Sequence, residues 1–209
     1  MSRCVVVGAS VQNNFRHIQK FINDDDFIIC ADGGYDLIKP FGLTPDLLIG
    51  DFDSTRSEED VGVKKIILPR EKDLTDVNAA VEHGLGLGYK NFLLLCCTGN
   101  RYDHHYTNVC MLEYLAENDA RGMLADEKNI IVLHAGGTMV FKNDENYKYI
   151  SVAALDEKIS GVTYAGLKYP LRDAELFRSA PIGISNEFIA GEATIEIKRG
   201  KALIIRSGD

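Results

Sequence analysis

Two aspartates one residue apart, Asp51 and Asp53, follow an apolar run that stops at a glycine: Leu47-Leu48-Ile49-Gly50-Asp51-Phe52-Asp53-Ser54. Carboxylates this close repel each other unless something positive lies between them. Hard oxygen donors at a strand end suit Mg²⁺ shared with phosphate groups, and glycine lets a ligand come close to the backbone. Taken alone, the stretch reads as a polar turn with two solvated aspartates. Similar turns elsewhere shift that balance. Asp32-Gly33-Gly34 closes another apolar run, Lys72-Asp73-Leu74-Thr75-Asp76 starts a helical one, and Thr98-Gly99-Asn100-Arg101-Tyr102-Asp103 follows a third. Amides at helix N-termini and an arginine fork bind phosphate. Asp73 or Thr75 also fits as the cap of the helix that follows, and Asp103 as the cap of its own.

The elements that must position these turns follow from periodicity. Strands are expected at Arg3–Val7, Phe27–Ala31, Leu47–Ile49, Lys65–Leu68, Phe92–Leu95 and Ile130–Leu133. Helical spacing appears at Phe15, Ile18, Phe21 and Ile22, over Tyr35–Lys39, from about Thr75 to His83, and from Asp103 to Glu117. Strands alternating with helices predict a parallel sheet covered on both faces. In such a sheet all four turns lie along one edge, where open α/β sheets bind ligands.

The pattern changes near Gly136-Gly137. Ile150, Val152 and Ala154 alternate with polar or exposed positions, as do Ala193, Ile195 and Ile197, and Leu203 and Ile205 end the chain in the same style. Short strands between frequent turns predict an antiparallel sandwich. The boundary is expected at about residue 130, give or take six, with an α/β domain over 1–130 and a β domain over 131–209.

The net charge of -8 disfavours a nucleic-acid partner, which would want a basic face. It does not exclude nucleotides, because a metal can supply the positive charge. No apolar run approaches the ~20 residues of a membrane span, and the N-terminal region lacks the long apolar core of a signal peptide. Five cysteines without a CxxC are expected to be reduced, buried thiols in a cytoplasmic protein. His104 and His105 point about 100° apart on a helix, which disfavours a joint zinc site. Gly84-Leu85-Gly86-Leu87-Gly88 resembles a dinucleotide fingerprint, but it lies between a helix and a strand, so it is expected to stop the helix. There is no GxxxxGK[ST] and no nucleophile elbow.

Together these residues resemble the thiamine pyrophosphokinase family. The resemblance rests on Ala31-Asp32-Gly33-Gly34, Thr44-Pro45-Asp46 with Gly50-Asp51-Phe52-Asp53-Ser54, Lys72-Asp73-x-Thr75-Asp76, and Thr98-Gly99-x-Arg101-x-Asp103-His104 with Asn108. Gly166-Leu167-Lys168-Tyr169-Pro170-Leu171 and Ile184-Ser185-Asn186-Glu187 continue it, so it spans most of the chain. It implies a Rossmann-like nucleotide domain followed by a β-sandwich that binds thiamine, working as a homodimer with the active site at the subunit interface. It implies transfer of pyrophosphate from ATP to thiamine, with Asp51, Asp53 and Asp76 holding Mg²⁺, Asp73 near them, and Arg101 meeting the remaining charge. Asp32, Gly33, Gly34, Asp46, Lys72, Thr98, Gly99, Asp103, His104 and Asn108 would hold ATP, and Ser185 and Asn186 would hydrogen-bond the aminopyrimidine. The chain departs from the family at Asn100, where glycine is usual, and at Tyr106, where an aliphatic residue is usual. It also has no tryptophan, which leaves Phe188 or Tyr169 as a stacking surface. A pyrophosphokinase for another alcohol, such as a hydroxymethylpterin, and a non-catalytic nucleotide or thiamine sensor are the alternative functions.

Overall fold

The computed structural model describes residues 3–11, 19–52, 62–71, 73–99 and 101–209. Phe15 and Ile18 of the first helical pattern, and Asp53, Ser54, Lys72 and Asn100, lie outside the described residues. The chain divides into two compact units, Met1–Glu127 and Lys128–Asp209.

The first unit is α/β. Its strands are β1 (Cys4–Val7), β2 (Phe27–Ala31), β3 (Leu47–Gly50), β4 (Lys64–Ile67), β5 (Asn91–Leu95) and β6 (Arg121–Ala125). They pair in parallel in the order β6-β5-β1-β2-β3-β4. Helices α1 (Gly34–Ile38), α2 (Asp76–Gly86) and α3 (Tyr102–Glu117) follow β2, β4 and β5. Every residue of β1 and β3 is buried, as is nearly all of β2 and β5. That is the near-continuous apolar run expected of strands covered on both faces.

β6 is absent from the sequence expectations, which pass from α3 directly to the strand at Ile130. Only Met123, Leu124 and Ala125 of its five residues are apolar, and Gly122 breaks the run. That glycine is needed for packing, because a Cβ there would lie 2.7 Å from both Leu112 Cδ2 and Leu115 Cδ1 of α3. The Gly84–Gly88 run ends α2, with Leu87 as its C-cap.

The second unit is all β. β7 (Asn129–His134), β9 (Tyr149–Ala154), β12 (Asn186–Glu187) and β14 (Ala202–Ser207) pair antiparallel in the order β12-β9-β14-β7. β8 (Gly137–Lys142), β10 (Lys158–Ala165), β11 (Ala174–Phe177) and β13 (Glu192–Ile197) form a second antiparallel sheet, β11-β10-β13-β8. The core between them contains Ile150, Val152, Ala202 and Ile204 from one sheet, and Ile159, Val162, Ala193, Ile195 and Ile197 from the other. The alternation expected along β13 matches this core. Along β14 the expected parity is one residue off. Ala202 and Ile204 pair with Ala154 and Val152 and face the core, whereas Leu203 and Ile205 lie on the opposite face.

All five cysteines are free, and four are buried. Burial pushes the thiols of Cys4 and Cys97 up to about 12, so neither is a ready nucleophile at neutral pH. No helix among the described residues is long and apolar enough to cross a membrane.

Candidate active site at the carboxyl edge of the parallel sheet

The carboxyl ends of neighbouring strands carry an unusual backbone. Asp32, directly after β2, has φ +48°, Phe52, just past β3, has φ +56°, and Cys96, directly after β5, has φ +55°. A left-handed conformation costs an L-residue about 1–2 kcal/mol. Such residues cluster where the surroundings hold them in place. Here the surroundings are main-chain hydrogen bonds: Asp32 N donates to Ile49 O at 2.9 Å, Gly8 N to Leu95 O at 2.8 Å and Ser10 N to Cys96 O at 2.9 Å. Gly34 opens α1 so close to β1 that a Cβ would lie 2.3 Å from Val7 O.

The turns after β2 and β5 border a cleft of about 460 Å³. Its walls are Ala9–Val11 after β1, Ala31 at the end of β2 with Asp32 after it, Cys96 and Gly99 after β5, Thr75–Val77 at the start of α2, and Arg101, His104 and Asn108 in the first turns of α3. Strand order reverses between β1 and β5, so the cleft straddles the topological switch point of the sheet, the usual ligand crevice of open α/β folds. Thr75 caps α2, accepting from Asn78 N at 3.2 Å, which settles the choice between Asp73 and Thr75. Asp103 is not the cap of α3. That position belongs to Arg101, and Asp103 sits in the first helical turn.

The expected site residues separate into groups. Asp32, Asp76, Gly99, Arg101, His104 and Asn108 line the one cleft, with Gly33 and Gly34 adjoining Asp32. Asp103 sits beside Arg101, whose guanidinium donates to it at 2.6 Å and 3.3 Å. That pairing and an amide bond hold the Asp103 carboxyl down at about 2. Asn108 is buried and donates through Nδ2 to Cys97 O at 2.8 Å. Thr98 is buried too, its hydroxyl donating to Asp126 Oδ2 at 2.8 Å. Asp51 is half-buried at the end of β3, and Asp73 is exposed ahead of α2.

Asp46 is not brought to the cleft. It precedes β3 and therefore lies at the amino edge of the sheet, where its carboxylate accepts from Ile28 N at 2.7 Å. The segment Ala9–Val11 and the carboxylate of Asp126 are features that the sequence expectations missed. Gly8 ending a buried strand was a legible signal for the first. Nothing local marks Asp126.

In the second unit Asn186 is buried and its amide is engaged. Oδ1 accepts from Tyr169 N at 2.9 Å and Glu187 N at 3.0 Å, and Nδ2 donates to Tyr169 O at 2.8 Å. Ser185 has φ +57° and an exposed side chain, and its amide donates to Ser151 Oγ at 2.9 Å. Phe188 packs partly buried against the sandwich core, with the Arg206 guanidinium 5.6 Å from its ring centroid and 5.7 Å from that of Tyr147. Burial lowers the pKa of Arg206. Tyr169 is 59% exposed and Tyr106 is 61% exposed, the latter stacked on Tyr102. An aromatic at 106 therefore burdens no core.

A parallel sheet with carboxylates and an arginine at its switch-point cleft, followed in the chain by an antiparallel sandwich, defines an α/β protein with an appended β unit. The profile for "Thiamin pyrophosphokinase, catalytic domain" matches residues 18–124, and that for "Thiamin pyrophosphokinase, vitamin B1 binding domain" matches residues 138–202. The chain belongs to the thiamin pyrophosphokinase family. It is 28% identical over 209 residues to a thiamine pyrophosphokinase of Bacillus subtilis (strain 168), covering 98% of each chain. The crystal structure of thiamine pyrophosphokinase from Bacillus subtilis superposes with a TM-score of 0.92 at 26% identity, covering 100% of both chains. That of the thiamin pyrophosphokinase from Geobacillus thermodenitrificans does so with 0.85 at 27% identity, covering 100% of this chain and 98% of the other. Neither alternative function is favoured by these matches.

Proposed function

We propose that the chain transfers the pyrophosphoryl group of ATP to the hydroxyl of thiamine, giving thiamine diphosphate and AMP. The observation that carries this is the cleft at the switch point, where Asp32 and Asp76 face the helix start that bears Arg101 and His104. The bond that forms joins the thiamine oxygen to the β-phosphorus, and the bond that breaks joins the β-phosphorus to the oxygen left on AMP. Such transfers depend on positioning and charge neutralisation more than on covalent help. Arg101 supplies a planar fork for phosphate oxygens, and the amides around Gly33, Gly34 and Gly99 supply further donors. Lys72 adds a positive charge. One of the aspartates takes the hydroxyl proton.

The carboxylates Asp51, Asp53 and Asp76, with Asp73 near them, are an all-oxygen donor set of the kind that suits Mg²⁺. Among the described residues, Asp51 is half-buried just past β3 and Asp76 lines the cleft, and no three carboxylate, histidine or cysteine side chains converge on one point. When bound, the metal supplies neutralisation of phosphate charge. Acceptor choice belongs to the second unit, where Ser185 presents an exposed hydroxyl beside the fixed Asn186 and the open ring of Tyr169. Ile182, Ile184 and Ile189 lie close to Ser185 and Asn186 in sequence and are exposed at 70%, 47% and 70%. Exposed apolar side chains this large support association with a second copy, and the assignment includes a homodimer whose partner completes each site. Five free thiols are in keeping with a cytoplasmic setting.

The test is to incubate the pure protein with thiamine, ATP and Mg²⁺ and follow AMP and thiamine diphosphate, expected in equal amounts. Asp51→Asn should lower kcat at least ~100-fold at saturating Mg²⁺ without loss of fold. Nucleotide bound but no AMP formed would favour a sensor, and turnover only with a hydroxymethylpterin would favour the other pyrophosphokinase.

A further inference from the structure

The turn after β5 is built like a truss. Cys96 sits at φ +55°, and the next two residues are each fixed from a different direction, while the third faces the cleft. Asn108 Nδ2 holds Cys97 O at 2.8 Å, the Thr98 hydroxyl reaches Asp126 Oδ2 at 2.8 Å, and Gly99 lines the cleft. Asp126 directly follows β6 and Thr98 lies three residues past β5, its parallel neighbour. Both side chains are buried, Asp126 at 6% exposure and Thr98 at 5%.

A carboxylate only accepts, and a threonine hydroxyl has one proton. With that proton committed to Asp126, Thr98 Oγ1 has nothing to donate to a phosphate oxygen. The Thr98 hydroxyl is therefore badly suited to be a phosphate ligand, although the resemblance implies that Thr98 belongs to the ATP site. We infer that Asp126 is a positioning residue: through the Thr98 hydroxyl it holds the β5 turn in its left-handed shape, so that main-chain amides and Arg101 address the nucleotide. The inference rests on the proposed nucleotide site. A fixed turn matters because preorganised donors need no reorganisation when the anion arrives, and a left-handed residue relaxes once its restraints are removed.

The experiment measures ATP and thiamine affinity by calorimetry for the wild type, Thr98→Val, Thr98→Ser, Asp126→Ala and the double variant Thr98→Val/Asp126→Ala. The strut predicts that Thr98→Val and Asp126→Ala each weaken ATP about tenfold, and that the double variant is no worse than either, because both singles remove the same link. Thr98→Ser keeps the proton and should bind ATP as the wild type does, and thiamine affinity should stay within about twofold throughout. A direct phosphate role for Thr98 predicts the reverse for Asp126→Ala: unchanged or tighter ATP binding, since a negative charge near the phosphates is gone. That result, or effects of the two singles that multiply, overturns the inference. If Asp126→Ala does not fold, Thr98→Val decides, and wild-type ATP affinity in that variant overturns it. If the wild type binds no ATP, the proposed function fails, and amide exchange at Cys97–Gly99 then tests the strut. Faster exchange in Thr98→Val than in Thr98→Ser supports it, and equal rates overturn it.

Discussion

Arg101 and Asp103 form an ion pair of 2.6 Å at the lip of the cleft, with both side chains mostly exposed. The Asp103 carboxylate occupies the fork that the proposed function assigns to phosphate. An incoming phosphate must share or displace it, and the match of a planar fork to two oxygens decides that exchange. Lysine has the charge but not the fork. Arg101→Lys is expected to weaken ATP binding about tenfold with thiamine affinity within about twofold, measured by titrating each substrate separately. Equal weakening of both would remove Arg101 from the nucleotide site. Asp103 titrates at about 2, below its usual range, so the pair contributes above the ordinary aspartate range and is lost only as pH falls toward 2. Its charge state is constant from pH 5 to 9, and it cannot shape a pH–rate profile there.

Ser185 and Asn186 are neighbours with different work. Removing the Asn186 side chain breaks its partly buried hydrogen bonds to the Tyr169 amide and carbonyl, and each such bond contributes on the order of 1 kcal/mol. Asn186→Ala should therefore lower the melting temperature and raise the thiamine KM together. Ser185→Ala should raise the thiamine KM with stability unchanged and little effect on ATP. Ser185→Gly should gain up to about 1 kcal/mol from relief at φ +57°. Unchanged kinetics in Ser185→Ala would return that residue to a turn role alone.

His134 is buried within the sandwich, 1% exposed. Gly136 N donates to its Nδ1 at 3.2 Å and its Nε2 lies 3.3 Å from Ile195 O. A carbonyl only accepts, so these partners call for the neutral ring with the proton on Nε2. Burial lowers its pKa below 6.5. The folded state thus binds a proton less readily than the unfolded one. The stabilisation from His134 is present above the unfolded pKa and is lost as pH falls below it toward the folded value, by at most about 1.4 kcal/mol per pH unit. Urea unfolding at pH 7.5 and 5.5 should show a loss in the wild type that is smaller in His134→Gln. Parallel losses in both proteins would exclude His134 as the source.

What could be seen in the amino-acid order was local. Period-3.6 and period-2 patterns mark α2, α3 and β13 because each reports only which face of an element meets a core. Glycine and aspartate after apolar runs marked the strand ends at Asp32 and Asp51, and the change of pattern after α3 marked the passage to an all-β unit. The tertiary structure decided everything that depends on which strands are neighbours. The order β6-β5-β1-β2-β3-β4 sets the switch point between β1 and β5, which gathers Ala9–Val11 and Gly99 around one cleft and leaves Asp46, on the amino side of β3, at the far edge. The partners of Thr98 and Asn186 lie 28 and 17 residues away. A hydrogen bond needs its two ends within about 3 Å, and only the folded chain brings residues so far apart in sequence that close together.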